Sequence, residues 1–331
     1  MLATRTSLQN NKTNMKRSLL VPALAALVAS SSTAGLVDSF GSGANAFTMN
    51  FVSIGNPNNL ADTAGAPDKF GAVAYSYRMG TYEVSEDMIN KANTAGVLGI
   101  TKVTLGTNKP ATSISWDEAA RFVNWLNVSS GSVAAYKFSA QPGGAGYSAN
   151  ANAVLWSVND SGYNAADPIR NSNAKYFLPN GNEWYKAAYY DPNKPGGAGY
   201  WDYASGSDTA PTAVASGTSG AVYNQAGPAD ITSAGGLSPY GTMGQGGNAF
   251  ELTETSGVNG VNLFGGYWQM SASALSSAHT YSIGTDAENP LIGFRVASSE
   301  MSAVPEVTSS FTLFGLMTSG LLLRRRTKHL R

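Results

Sequence analysis

Apolar and polar positions along the chain predict three amphipathic helices separated by short strands and long loops. After Ser115, apolar residues recur at the i, i+3, i+4 and i+7 spacing of a helix that buries one face. Those residues are Ala119, Phe122, Val123 and Leu126. Ser115 and Glu118 have the spacing of a capping box, which marks the start of this helix. Another helix is predicted after Ser85, because two acidic residues fall in its first turn.

The stretch 176–192 predicts a strand that leads directly into the third helix. Its first three residues are aromatic or apolar and are followed by a proline, which ends the strand. Asn180 is a suitable N-cap, and Glu183 lies three residues later, where its carboxylate reaches back to the N–H of the cap. One face of the helix then carries Trp184, Ala187 and Ala188. The helix is expected to stop at Asp191 and Pro192.

Apolar residues that alternate with other residues predict short strands elsewhere in the chain. The predicted strands cover residues 47–54, 72–79, 154–156 and 292–296. The region 195–241 is rich in Gly, Ser, Thr and Ala, which predicts loops. Short strands, three helices and long loops together indicate the α+β class.

Composition narrows the chemistry that the chain can perform. Only 13% of its residues are charged, it contains 37 glycines, and it has no cysteine. Disulfides, thiolate metal sites and cysteine nucleophiles are therefore excluded. His279 is the only histidine outside the two ends, so a zinc site or a Ser-His-Asp triad is not predicted. Residues 47–304 carry 12 basic against 19 acidic side chains, about −7 in net charge, which offers no basic face to nucleic acid.

The N-terminal end has the pattern of a secretory signal peptide, predicted over residues 1–46. Two basic residues precede the apolar run 19–29, as in a signal that the secretion machinery reads. The sequence Ala-Asn-Ala ending at Ala46 is one cleavage site, and Ser-Thr-Ala ending at Ala34 is the alternative. Both sites stay open at this point.

The C-terminal end, residues 300–331, resembles the PEP-CTERM sorting tail of Gram-negative bacteria, which an exosortase is thought to cleave. The short motif is Pro-Glu-Val at 305–307, without the second proline of the family. An uncharged, largely apolar segment follows at 307–323, and residues 324–331 are strongly basic. The resemblance implies an exported protein that is anchored in the membrane before any processing, with an exosortase as a partner.

Six short motifs occur in a fixed order along residues 47–299. They are YEVS at 82–85, SWDEA at 115–119, NWL at 124–126, LPNGNEW at 178–184, GNAFE at 247–251 and GFRV at 293–296. Together they resemble the formylglycine-generating enzyme, or sulfatase-modifying factor, domain. The resemblance implies a C-type-lectin-like α+β fold with little regular structure, followed here by the short C-terminal membrane segment.

Active members of that family oxidise a substrate cysteine to formylglycine with a copper ion held by two cysteines. The matching positions of this sequence are Met270 and Leu275. A thioether and an alkyl group cannot replace two thiolates as copper ligands or redox partners. No copper is therefore expected, and the sequence predicts a redox-inactive relative of these enzymes.

The resemblance also implies structural calcium sites. Glu251 matches one site, together with the carbonyls of Gly247 and Ala249; Asp230 and the carbonyl of Thr232 match a second. Each lacks one oxygen ligand that is usual in the family, whereas Ca²⁺ takes six to eight. The alternative is that both acidic side chains only hydrogen-bond loop backbone.

The features above predict an exported, envelope-tethered protein that binds a ligand or contributes to a surface matrix without catalysis. Extracellular polysaccharide or surface proteins are the expected partners. The ligand face is expected in loops 195–290, at Tyr200, Trp201, Tyr240, Tyr267 and Trp268. The alternatives are an enzyme that uses the same scaffold with residues other than cysteine, or a purely structural surface protein.

Removal of residues 304–331 is expected to move the protein from the membrane fraction to the soluble fraction, because 307–323 is the predicted anchor. Immunoblots of fractionated cells measure this. A chain that ends at Arg326 keeps the apolar segment and the arginines and serves as the control. Persistence of the shorter chain in membranes would contradict the anchor.

Overall fold

The computed structural model describes residues 36–65, 69–140, 153–257 and 260–300. The predicted sorting tail beyond residue 300 and the first 35 residues of the predicted signal peptide lie outside this part of the chain. No helix within the described residues is long and apolar enough to cross a membrane.

Three α-helices and thirteen short strands make up the regular structure of the described residues. The helices are α1 (Glu86–Gly96), α2 (Trp116–Ser129) and α3 (Gly181–Tyr189). The strands are β1 (Leu36–Phe40), β2 (Phe47–Ile54), β3 (Tyr77–Gly80), β4 (Lys137–Phe138), β5 (Ala153–Val154), β6 (Tyr176–Phe177), β7 (Tyr190–Asp191), β8 (Gly199–Tyr200), β9 (Phe250–Gly257), β10 (Gly260–Phe264), β11 (Tyr281–Ile283), β12 (Ile292–Gly293) and β13 (Ala297–Ser299).

Two sheets organise these strands. The first is antiparallel throughout, in the order β1-β2-β3-β13-β6. The second has the order β11-β10-β9-β12, in which only the β9–β12 pair is parallel. Strands β12 and β13 are only three residues apart in the chain, so residues 294–296 carry it from one sheet to the other.

The three predicted helices are present, with the predicted caps. Ser85 accepts a hydrogen bond from the backbone of Met88 at the start of α1. Ser115 and Glu118 form a capping box at α2, and Asn180 and Glu183 form one at α3. Each box satisfies backbone donors that a helix start otherwise leaves unpaired.

The main hydrophobic core lies around helix α2, which packs against β6 and α1. The predicted apolar stripe of α2 is fully buried, and most of its other side chains are buried as well. Phe122 meets the ring of Phe294 from the linker between the two sheets, with ring centroids 5.7 Å apart. The half-buried Trp125 stacks on Phe47 of β2 at 5.8 Å, so it packs against the core.

Four predicted elements are wrong in their extent. The strand predicted over 154–156 forms only at Ala153–Val154, where it pairs with β4. The strand predicted over 72–79 forms only at Tyr77–Gly80, where β2 and β13 supply partners on both sides. The strand predicted over 292–296 is divided between β12 and β13, because the chain changes sheets there. Helix α3 ends at Tyr189 rather than at Asp191, since residues 190–191 pair with β8 instead.

The folded domain begins before the predicted boundary at Phe47. Strand β1 pairs with β2 along its whole length, from Leu36 opposite Phe51 to Phe40 opposite Phe47. Asp38 of β1 accepts a hydrogen bond of 2.7 Å from the buried guanidinium of Arg78. Residues 36–40 therefore belong to the same sheet as β2 and β3.

A chain that begins at Phe47 is expected to be less stable than one that begins at Gly35, by roughly 3 kcal/mol. The shorter chain loses Asp38, the carboxylate partner of a buried arginine, and breaking such a pair is strongly destabilising. Urea unfolding of the two chains measures the difference.

Asp38→Asn in the longer chain removes the ion pair but keeps strand β1. This variant is expected to show part of the loss of stability. Equal unfolding free energies for the two chains would show that β1 contributes nothing.

Candidate functional site

The positions that match the copper-binding cysteines of the family are filled by apolar side chains. Leu275 ends the 3-10 turn Ala272–Leu275 and is buried against Ala221 and Ala274. The half-buried Met270 packs against the same cluster. The cavity beside Leu275 measures about 10 Å³, which is room for about one water molecule.

Glu251, the proposed calcium ligand, has a buried arginine as its partner. Its Oε2 accepts hydrogen bonds of 2.6 Å from Arg295 Nε and from the Trp184 indole, and its Oε1 accepts one of 2.6 Å from Arg295 Nη2. Gly247 has a φ of +90°, and a Cβ there would lie 2.3 Å from the Val222 carbonyl oxygen. Close backbone packing therefore explains this glycine.

Asp230 and Thr232, the second proposed calcium pair, also lack a suitable set of ligands. Asp230 is part-exposed and pairs with Lys109 at 3.1 Å. Among the described residues, no group of three or more acidic or histidine side chains is placed to hold a metal ion. A cation at either site would lie beside a positive side chain, so the residues present do not fit calcium.

A second carboxylate lies close to the Glu251–Arg295 pair. Glu83 accepts hydrogen bonds from the side chain of Asn248 at 2.5 Å and from the backbone N–H of Ala249 at 3.2 Å. Burial, and then the neighbouring Glu251 carboxylate, raises the pKa of Glu83 to about 8. Arg295 acts on Glu83 only through its charge and lowers this pKa in part, so burial favours the protonated form of Glu83.

A second arginine–carboxylate cluster surrounds Arg170, which pairs with both Glu183 and Glu254. Its two terminal nitrogens donate to the two oxygens of Glu183 at 2.9 Å each, and its Nε donates to Glu254 at 2.7 Å. The hydroxyl of Tyr136 donates to the other oxygen of Glu254. Burial raises the pKa of Glu254 to about 8, against the opposing effect of Arg170. Glu183, predicted only as a helix cap, therefore has a second role.

A cleft of about 380 Å³ opens above this cluster, and we call it the sheet-edge cleft. It covers the ends of β3, β13 and β6, which contribute Tyr77, Ser299 and Phe177. Its other walls include Tyr75, Asn164, Asp167, Arg170, Asn171 and Ser172. The cleft brings acidic side chains and an arginine together with several amide and hydroxyl side chains. It is the candidate functional site.

Three side chains determine the character of the cleft. Tyr75 is 47% exposed, and its hydroxyl donates to Glu183 at 2.6 Å. The guanidinium of Arg170 lies 3.9 Å from the ring centre of Phe177, which fixes it in the floor. Burial raises the pKa of Asp167, against the opposing effect of Arg170. The cleft thus offers an exposed aromatic ring beside polar groups in an acidic surrounding.

The five aromatic residues predicted as a ligand face fall into two groups. Tyr200 and Tyr240 both contact the ring of Tyr190, at 5.0 and 6.4 Å. Trp201, next to Tyr200 in the chain, donates to Asp191. Tyr267 packs on the rings of Phe250 and Trp268, and Trp268 is buried in a small core cluster. None of the five lines the sheet-edge cleft.

Sequence reasoning did not identify Tyr75, Arg170 or Glu254 as site residues. Tyr75 fell within a predicted strand, and Arg170 lies in a region with weak patterns. Arg170 and Glu254 are 84 positions apart, so no local spacing could have linked them. The motif at 178–184 was the only available signal, because its Glu183 binds Arg170 directly.

Two sheets, few helices and long loops define a mixed, sheet-rich fold of the kind seen in formylglycine-generating enzymes. The chain belongs to the Sulfatase-modifying factor enzyme 1-like domain family, which matches residues 48–300. No curated protein matches the sequence closely enough to count as a relative.

Solved structures with the same fold are distant in sequence. Treponema denticola variable protein 1 has a TM-score of 0.53 and 17% identity, over 80% of this chain and 99% of that one. CarF has a TM-score of 0.51 and 17% identity, over 76% and 99%. PvdO from Pseudomonas aeruginosa has a TM-score of 0.50 and 12% identity, over 80% and 98%. At these identities the likeness establishes the fold alone.

The domain is expected to lose stability as the pH rises from about 5 to about 8. Glu83 and Glu254 have folded-state pKa values near 8, above the usual value of 4.5, so the folded state binds protons that the unfolded state has released. Their contribution is complete below the unfolded pKa and is lost as the pH rises through the folded pKa. Denaturant unfolding at several pH values measures the slope.

Glu254→Gln cannot ionise and is expected to reduce this slope, whereas Glu288→Gln, at an exposed position, leaves it unchanged. A slope that is the same in wild type and Glu254→Gln would contradict the raised pKa of Glu254.

Proposed function

We propose that the protein is an exported, envelope-tethered binding module without catalytic activity, and that the sheet-edge cleft binds extracellular polysaccharide. The observation that carries the proposal is the lining of the cleft. Amide and hydroxyl side chains surround an exposed tyrosine ring there, at a concave site of ordinary ligand size.

The chemistry of the cleft suits a sugar better than an anion or a large apolar ligand. Asn164 and Ser172 offer a donor and an acceptor that match sugar hydroxyls, whereas the buried amide of Asn171 is used on Ser161 and Asn173. The Tyr75 ring provides an exposed apolar face on which a sugar ring can pack. Asp167 and Glu300 also line the cleft, and their charge disfavours polyanions. The expected ligands are polysaccharides built from neutral sugars or amino sugars.

The absence of catalysis is supported by the positions of Met270 and Leu275. They replace the thiolates on which the oxidation depends, and Leu275 is packed beside a cavity too small for a peptide. An enzyme that uses other residues is the alternative, and Glu254 with its raised pKa is its best acid. Both oxygens of Glu254 are engaged by Arg170 and Tyr136, however, which leaves no free acid for a substrate.

The proposal of export and tethering is based on the sequences of the two ends of the chain. The signal-like N-terminus and the PEP-CTERM-like tail support transport across the inner membrane and retention there. Strand β1 supports cleavage after Ala34, because a cut after Ala46 would remove an integral strand. Glu300, which lines the cleft, directly precedes the predicted tail. The ligand site would therefore lie near the attachment point.

Tyr75→Ala is expected to weaken polysaccharide binding about tenfold, a loss of roughly 1.4 kcal/mol, because the exposed ring would no longer pack on a sugar. Tyr75→Phe keeps the ring and is expected to retain most of the affinity. Glycan arrays identify the ligand, and affinity electrophoresis of the full chain in that polysaccharide measures the affinities.

Tyr281→Ala is the matched control, since Tyr281 is similarly exposed at 38% and lies outside the cleft. Equal weakening by both alanine variants would argue against the cleft as the site. Copper-dependent oxygen consumption with a cysteine peptide would contradict the non-catalytic assignment.

A further inference from the structure

We propose that a groove beside helix α2 binds a small monocarboxylate with an apolar body. The groove measures about 470 Å³, and we call it the α2 groove. Leu98, Arg121, Trp125, Val128 and Ala134 are among its lining residues. None of its lining residues contributes to the sheet-edge cleft, so the proposal is independent of the proposed function.

The guanidinium of Arg121 is buried without a hydrogen-bond partner. Its side chain is 2% exposed, and Nε, Nη1 and Nη2 all lack an acceptor. The Oε1 atom of Glu118 lies 3.7 Å from Nη2, beyond hydrogen-bond distance. Both oxygens of Glu118 already accept hydrogen bonds, from Thr101 and from Ser115. Buried donors are rarely left unpaired, so this group calls for an explanation.

Helical spacing places the guanidinium of Arg121 at one end of a row of apolar side chains on α2. Arg121, Trp125 and Val128 stand at positions i, i+4 and i+7 of α2, on one face of the helix. Seven residues at 1.5 Å each separate Arg121 from Val128 by about 10 Å along the axis. Asn124, also in the groove, uses its side-chain amide on the backbone of Tyr136. Arg121 is thus the group available to fix a polar ligand end.

The outer part of the groove is apolar and exposed. Val128 is 64% exposed, and two more exposed valines, Val97 and Val133, directly precede the lining residues Leu98 and Ala134. The half-buried ring of Trp125 adds a flat surface. A ligand with a hydrocarbon or aromatic body would remove this surface from water.

Charge decides the class of ligand. A guanidinium presents parallel N–H donors that match a carboxylate, so a bound carboxylate would supply the missing acceptors. Arg121 also interacts electrostatically with Asp117, and Glu118 is close to it as well. These two carboxylates disfavour a dianion such as a phosphate monoester. An aryl or alkyl monocarboxylate of about 10 Å fits both ends of the groove.

Binding of 4-phenylbutyrate and of its neutral analogue 4-phenylbutanol to the full chain tests the proposal, with isothermal titration calorimetry as the measurement. Wild type is expected to bind the acid at least tenfold more tightly than the alcohol. Arg121→Met removes the charge while keeping an apolar side chain and is expected to abolish that preference. Val128→Asp is expected to weaken binding of both compounds.

Val158→Asp is the control, because Val158 is 78% exposed and lies outside the groove; it should leave both affinities unchanged. Circular dichroism shows whether each variant is folded. If Arg121→Met does not fold, the surface variant Val128→Asp still tests the groove. Equal affinity of wild type for acid and alcohol, no measurable binding of either, or a preference that survives Arg121→Met would each overturn the proposal.

Discussion

The buried pair of Arg295 and Glu251 is the interaction on which the architecture depends. Arg295 lies in the three-residue linker between β12 and β13, where the chain passes from one sheet to the other. Its guanidinium binds Glu251 of β9 and donates to the backbone carbonyls of Gly80 and Met243. Glu251 in turn accepts from Trp184 of α3. One fully buried ion pair therefore joins both sheets, a helix and a loop, and removing one partner would leave an uncompensated charge.

Buried polar clusters hold the segments of this fold together because regular secondary structure is scarce. Strands of two to eight residues and long loops provide few repeating hydrogen bonds, so side chains must fix the relative positions of the segments. The Arg170 cluster does so for β6, α3 and β9, through Glu183 and Glu254. Arg170 binds two carboxylates, whereas Arg295 binds Glu251 alone. In each cluster burial raises the pKa of one nearby carboxyl group, Glu254 or Glu83, to about 8. The charged residues of the two clusters therefore hold segments of the fold together and also set the local electrostatics.

The candidate ligand site is displaced from the position that the family uses for oxidation. At that position, apolar side chains have closed the space around Leu275. At the edge of the first sheet, by contrast, β3, β13 and β6 leave a concave polar surface over the Arg170 cluster. The fold of the family is thus retained, but the exposed concave surface lies at the edge of the first sheet.

The sequence by itself determined the local structure and the family. The caps at Ser85, Ser115 and Asn180, and the apolar stripe of α2, depend on residues within four positions of each other, so spacing alone predicted them. The six ordered motifs predicted the family, and the family model confirms it over residues 48–300. Only the tertiary structure decided that Glu251 binds Arg295, that β1 belongs to the first sheet, and that Tyr75 and Arg170 share a cleft. Glu251 and Arg295 are 44 positions apart, and Tyr75 and Arg170 are 95 apart, so local patterns do not encode these contacts. Strand β1 is close to β2 in the chain, but it lay within the predicted signal peptide.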